Sequence, residues 1–183
     1  KERKITQEQL ALDIDVSPEF YRSFESASGK EGASLINVYK ISIILDKNHK
    51  TVKNIKEHNA FTVSIADVNH LKESDFFGIT TGNKITDKVT KAGLTYSKSQ
   101  NVDAPIINEY PLTMECKLIS YDESTEQVIA EVVNTLIDDT ILTNDKIDLS
   151  KFKPIIYDAM NHDYISFGEK VGNAFSDGKE IEN

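Results

Sequence analysis

The sequence predicts a mainly β protein, an antiparallel barrel or sandwich carrying peripheral helices. Residues 112–121 (LTMECKLISY) and 126–137 (EQVIAEVVNTLI) both alternate apolar with polar side chains, and a short connector around Asp122–Thr125 joins them. Two alternating runs so joined argue a β-hairpin. Further runs rich in β-branched and apolar residues recur at 35–45, 61–66 and 154–160. The helical stretches between them are short, and no long βαβ period is present, as a doubly wound parallel sheet would require.

Taken in order, the chain opens with helical signals. Thr6 and Gln9 fit a capping box before an apolar-periodic stretch. Ser17-Pro18-Glu19 gives a second start, with a capping serine, proline in the first turn and an acid behind it. The small polar segment 26–34 (SASGKEGAS) reads as a loop. LINVYKISIIL (35–45) reads as one strand or two. Thr51 is placed to cap a helix over VKNIKEHN, with Val52 and Ile55 on one side. FTVSIA (61–66) alternates as a strand, and Asp67 or Asn69 opens a short helix ending at Gly78. Residues 87–92 form another, with Asp87 as cap and Gly93 as stop. In the central hairpin, Leu112, Met114, Cys116 and Leu118 share one face, and Val128, Ala130 and Val132 point inward. PIIYDAM (154–160) reads as a late strand, and Tyr164 and Phe167 read as core packing.

Composition narrows the function. The chain has 183 residues, a length that suits a single domain over 1–183. Its one cysteine, Cys116, cannot form an intrachain disulfide, and on an apolar strand face it reads as core packing. No apolar run is long enough for a membrane helix, so the expected location is a reducing cytoplasm. The net charge of −9 disfavours nucleic acid and anionic membranes as partners. His49, His58, His70 and His162 are scattered, and no HExxH, CxxC or calcium loop occurs, so no metal is expected. The sequence contains no GxSxG, GxGxxG or GxxxxGK[ST], which leaves serine-hydrolase, Rossmann and P-loop chemistry without support.

The charge is uneven. Residues 1–60 hold 10 basic and 9 acidic side chains, whereas residues 61–183 hold 11 basic and 21 acidic. Against that background KNHKTVKNIK (47–56) is a basic island with Lys47, Lys50, Lys53 and Lys56. Lys50-Thr51 sets an ammonium and a hydroxyl at a helix start, where free backbone amides favour an anion. Lys53 and Lys56 lie further along the helix and read as a solvated face. A second device is TTGNKITDK (80–88), in which Thr81-Gly82 combines a hydroxyl with a backbone open to close approach, beside Lys84 and Lys88.

The order of these pieces resembles the flavin reductase-like proteins, the flavoredoxin-type branch of the FMN-binding split β-barrels. ISIILDKNHKTVKNIKEHNAFTVSI (41–65), FFGITTG (76–82), TDKVTKAGL (86–94), APIINEYPLTMECKL (104–118), VIAEVVNTLID (128–138) and DYISFGEKVGNAFSDGKE (163–180) follow the family's order. Residues 1–40 diverge from the family's pattern, and no tryptophan occurs anywhere in the chain. The resemblance implies an antiparallel FMN-binding split barrel. It places His49, Lys50 and Thr51 near the FMN phosphate, with Asn48 as an extra donor. It places Thr81 and Gly82 beside the flavin, and Asp87 and Lys88 at the edge of the site. It further implies a homodimer and an NAD(P)H-dependent flavin oxidoreductase, in which NADH or NADPH delivers hydride to the flavin and no protein acid–base dyad is needed. Two other readings share the fold: a non-catalytic flavin carrier in electron transfer, and a structural or regulatory dimer that has lost the cofactor.

Overall fold

The hairpin expected at the centre of the sequence is the longest feature of the fold. A computed structural model describes residues 40–182. The helix starts at Thr6 and Ser17, the loop at 26–34 and the first part of the 35–45 run lie outside the described residues. In chain order the strands are β1 Lys40–Ile44, β2 Ala60–Ser64, β3 Tyr96–Lys98, β4 Pro105–Ile107, β5 Leu112–Asp122, β6 Gln127–Ile137, β7 Leu142–Thr143, β8 Lys146–Ile147, β9 Ile155–Asp158 and β10 Asp163–Ser166. The helices are α1 Lys50–His58, α2 Leu71–Ile79 and α3 Lys88–Lys91. The main sheet runs β1-β6-β5-β2, and β3–β4, β7–β8 and β9–β10 form separate two-stranded ribbons. Every paired strand is antiparallel.

Alternation explains the core. Cys116 of β5 stands opposite Phe61 of β2 and Val132 of β6. With Ile55, Val128 and Ala130 these residues form the main apolar cluster, and Met114 and Leu118 pack against it. Cys116, Val128 and Ala130 are fully buried, as the period-two pattern of both strands requires.

The β5–β6 register shifts twice, between Glu115 and Cys116 and between Leu118 and Ser120, and the first shift has a consequence. There Asn134 faces Glu115 while Val132 faces Cys116. Val133 is the extra residue on β6, and it packs instead against Ala60, Val102 and Ala104. A bulge reverses the facing of everything beyond it. Asn134 therefore reaches the side of the sheet opposite Cys116, where its Nδ2 donates to Glu115 Oε2 at 2.5 Å. Asn101 Nδ2 donates to the same oxygen at 2.8 Å, and the Ser99 hydroxyl donates to Oε1. Ser99 Oγ in turn accepts the amides of Asn101 at 3.0 Å and Val102 at 2.9 Å. Burial acts to raise the Glu115 pKa, but the hydrogen bonds from Ser99, Asn134 and Asn101 outweigh it and hold the carboxyl below its ordinary value.

Local signals account for the turns, with corrections. Asp67 accepts the amides of Asn69 and His70, both at 3.1 Å, and opens a 3-10 turn at Val68–His70 that leads into α2. Gly78 does not stop that helix; α2 continues to Ile79, and the Thr80 amide closes it on the Phe76 carbonyl. Glycine lowers helix propensity without ending a helix whose backbone bonds remain available. Gly93 does end α3, at φ +78°, a conformation that favours glycine. Phe167 is 53% exposed and packs in no core cluster. Tyr164 is half-buried, and its hydroxyl donates to Asp75 Oδ1 at 2.9 Å, tying β10 to α2.

Two outcomes are expected. Burial, and after it the charge of Glu115, pushes the Cys116 thiol from its ordinary 9.0 up to about 11. The folded chain therefore keeps a proton that the unfolded chain releases. Stability contributed by the thiol is intact below about pH 9 and is lost as pH rises through about 11; denaturation midpoints across that range, compared with Cys116→Ala, measure it. Glu115→Ala leaves three donors facing an emptied site and is expected to cost about 2–4 kcal/mol in chemical denaturation.

Candidate functional site

The basic island folds into a turn and a helix start. Asp46, just beyond β1, organises the turn: Oδ1 accepts the Asn48 amide at 2.7 Å and Asn48 Nδ2 at 3.0 Å, and its carbonyl accepts the His49 amide at 3.0 Å. The Asn48 amide is the largest influence holding the Asp46 carboxyl below its ordinary value. His49, not Thr51, occupies the capping position of α1, in extended conformation and with no side-chain capping bond. Its carbonyl accepts the amides of Val52 at 3.1 Å and Lys53 at 3.4 Å. The amides of Lys50 and Thr51 have no acceptor among the described residues, as expected in a first helical turn that lacks a side-chain cap. Val52 and Ile55, each 2% exposed, hold the opposite face of α1 in the protein interior.

The facing wall comes from the segment after α2. The Thr81 carbonyl accepts the amides of Lys84 and Ile85, both at 3.2 Å, and Thr81 Oγ1 accepts the Asn83 amide at 3.2 Å. Asn83 Nδ2 then reaches across to the Asn48 carbonyl at 3.0 Å, joining the two walls. Gly82 lies against Lys50: a Cβ at this position would sit 3.3 Å from Lys50 Cβ and 3.4 Å from its Cγ. Any larger side chain here must displace the Lys50 stem, which is the requirement that glycine meets.

Between these walls is a cleft of about 420 Å³. Of the residues singled out in the sequence, His49, Lys50, Thr51, Thr81, Gly82 and Lys88 line it. Asn48 and Asp87 are not among the lining residues. The Asn48 side chain bonds Asp46, and its carbonyl serves Asn83. Asp87 precedes α3 without a side-chain capping bond, contrary to the cap expected there, and its carbonyl accepts the Lys91 amide at 3.0 Å. Lys56 is turned away from the cleft: its Nζ pairs with Glu123 at 2.5 Å and lies 4.5 Å from the Tyr121 ring centroid.

The sequence reading missed Asn54, Phe77, Ile85, Thr86 and Val89, which also line the cleft. Asn54 had a signal, because it stands three and four residues after Thr51 and Lys50 on the same helical face. The apolar wall of Phe77, Ile85 and Val89 had none, since only tertiary packing assembles it. A second cleft of about 440 Å³ shares Thr51 and Asn54 and opens toward β3, lined by His58, Phe61, Tyr96, Lys98 and Pro105. At its rim Asp103 accepts from His58 Nδ1 at 2.8 Å and from Lys98 at 3.2 Å.

Comparison with known proteins fits this architecture. Residues 39–160 match the model of the flavin reductase like domain. The chain is 35% identical to the flavoredoxin of Desulfovibrio vulgaris (Miyazaki F), covering 76% of this chain and 75% of that one, with a TM-score of 0.71. The flavoredoxin of Methanosarcina acetivorans superposes with the same TM-score of 0.71 at 22% identity, over 78% of this chain and 76% of that one, a likeness of fold. A protein of Aquifex aeolicus (strain VF5) is 31% identical over 111 residues, 57% of this chain; the chain spans about half of that relative, 55% of its length. The chain thus belongs to the flavin reductase-like family, and its fold is the antiparallel split barrel of that family. No helix among the described residues is long and apolar enough to cross a membrane.

Proposed function

We propose that the protein binds FMN, with the phosphate at the first turn of α1, and works as an NAD(P)H-dependent flavin oxidoreductase. One observation carries the reading. The Lys50 ammonium, the Thr51 hydroxyl and the free amides of α1 share a cleft with Thr81 and Gly82. A helix start with a lysine and hydroxyls is suited to a phosphate ester. The cleft of about 420 Å³ is within the usual size of a cofactor site.

The residues present fit the cofactor's chemistry. Lys50 supplies positive charge, and Thr51 and Thr81 supply hydroxyl donors. Gly82 allows close approach, and Phe77, Ile85 and Val89 give an apolar surface suited to a ring. FMN, when bound, supplies the hydride-accepting chemistry, and the chain binds, orients and shields it. His49 adds a ring N–H donor. Asn48 and Asp87 act on this reading through the backbone of the walls. A single domain over 1–183, a homodimer and a cytoplasmic location complete the proposal; they rest on the family and on a chain with one buried cysteine.

Titration of the purified chain with FMN, followed by flavin fluorescence, tests the site. Lys50→Ala is expected to weaken FMN by about 1.5–3 kcal/mol, the range of a charge-assisted hydrogen bond. Gly82→Val, whose side chain collides with the Lys50 stem, is expected to weaken FMN by about tenfold or more. Unchanged affinity in both variants would remove the phosphate from α1. Anaerobic mixing of the FMN-loaded protein with NADH or NADPH tests the activity: bleaching of the flavin band supports the oxidoreductase, and persistent colour supports a carrier.

A further inference from the structure

The family resemblance places Lys88 at the edge of the flavin site, as a cationic side chain. The structure gives its ammonium a different task. Lys88 Nζ donates to the Phe77 carbonyl at 2.7 Å and to the Thr80 carbonyl. It also lies 5.7 Å from the centroid of the Phe77 ring. These carbonyls belong to the end of α2, where the last helical carbonyls have no partner within the helix. A lysine delivered from another element fills that need and offsets the partial negative charge of the helix end. Partial burial lowers the amine's pKa from its ordinary value.

The consequence for the cleft follows from connectivity. Thr80 begins the wall that continues through Thr81 and Gly82 to Asn83, and Asn83 is fastened to the Asn48 carbonyl at 3.0 Å. The wall is thus tied at both ends, by Lys88 to α2 and by Asn83 to the turn before α1. Gly82 lies between the two ties, where an added Cβ would come within 3.3 Å of the Lys50 stem. Loss of one tie frees the segment that sets the width of the cleft.

We infer that Lys88 is a positioning residue: it clamps the carbonyl end of α2 and so fixes the Thr80–Gly82 wall against Lys50, leaving contact with the flavin phosphate to Lys50 and the α1 amides. The inference rests on the flavin reading of the cleft. It separates two lysines that line one cavity, one acting on the ligand and the other on the wall.

The test compares FMN with riboflavin, which has the ring and lacks the phosphate. Lys88→Met is expected to weaken both flavins by the same factor, about tenfold for two lost hydrogen bonds. Lys88→Gln keeps one donor, and a smaller equal loss for both flavins is expected. Lys50→Met is the comparator, with a loss concentrated on FMN. An unchanged riboflavin affinity with weakened FMN in the Lys88 variants would make Lys88 a phosphate ligand and overturn the inference. Unchanged affinity for both flavins, with only a lower melting temperature, would also overturn it, because the clamp would then not shape the cleft. Should Lys88→Met not fold, Lys88→Gln reads the same comparison. Amide hydrogen exchange of residues 80–85 in the flavin-free protein gives an arm independent of the flavin reading. Faster exchange in the Lys88 variants is expected, and unchanged exchange overturns the clamp. Wild-type protein that binds neither flavin refutes the flavin reading while leaving the exchange result to decide the clamp.

Discussion

Ile55 packs into the cluster formed by Phe61, Cys116, Val128, Ala130 and Val132, and this contact ties the cleft to the sheet. A helix of nine residues is not stable alone in water. The position of α1 is therefore set by what its apolar face is buried against. With Val52 and Ile55 held inward, Lys50, Thr51 and Asn54 face the cleft, and the unpaired amides of the first turn sit beside them. The placement of Lys50 and Thr51 on the cleft depends on the burial of two aliphatic side chains that do not line it.

The same dependence runs through the other wall. Its hydrogen bonds are local in part, as in the Thr81 turn, but its placement comes from ties to other elements. Asn83 bonds the Asn48 carbonyl across 35 residues, and Lys88 bonds the end of α2. Both use polar groups to fix backbone that would otherwise be free to move, and such fixing is what preorganised binding needs.

Buried polarity plays a comparable part behind the sheet. Glu115 is 1% exposed yet fully paired, by Ser99, Asn101 and Asn134. The bulge at Val133 makes this possible by turning Asn134 toward it. The arrangement anchors the segment leading into β4, which covers the second face of the sheet with Val102 and Ala104. Satisfied networks of this kind specify a unique packing, because a partial version leaves charged or polar atoms unpaired.

By itself the sequence determined the antiparallel class, the β5–β6 hairpin and the inward set from Cys116 to Val132, and it picked out the two segments that the fold brings to one cleft. Each of these depends on neighbours within a few residues, where periodicity, turn chemistry and propensity act. Helical spacing also sets Asn54 on the same face as Lys50 and Thr51. The tertiary structure alone decided the rest. The facing of Asn134 depends on a bulge that alternation does not encode. The ribbons β3–β4, β7–β8 and the second strand of β9–β10 are too short for a periodic signal to mark. The difference between Lys50 and Lys88 is decided by the fold, which sets the Lys88 ammonium on the Phe77 and Thr80 carbonyls and Lys50 at the start of α1. Composition treats the two as equal charges, and only distance separates a lysine at a helix start from one bound to a helix end.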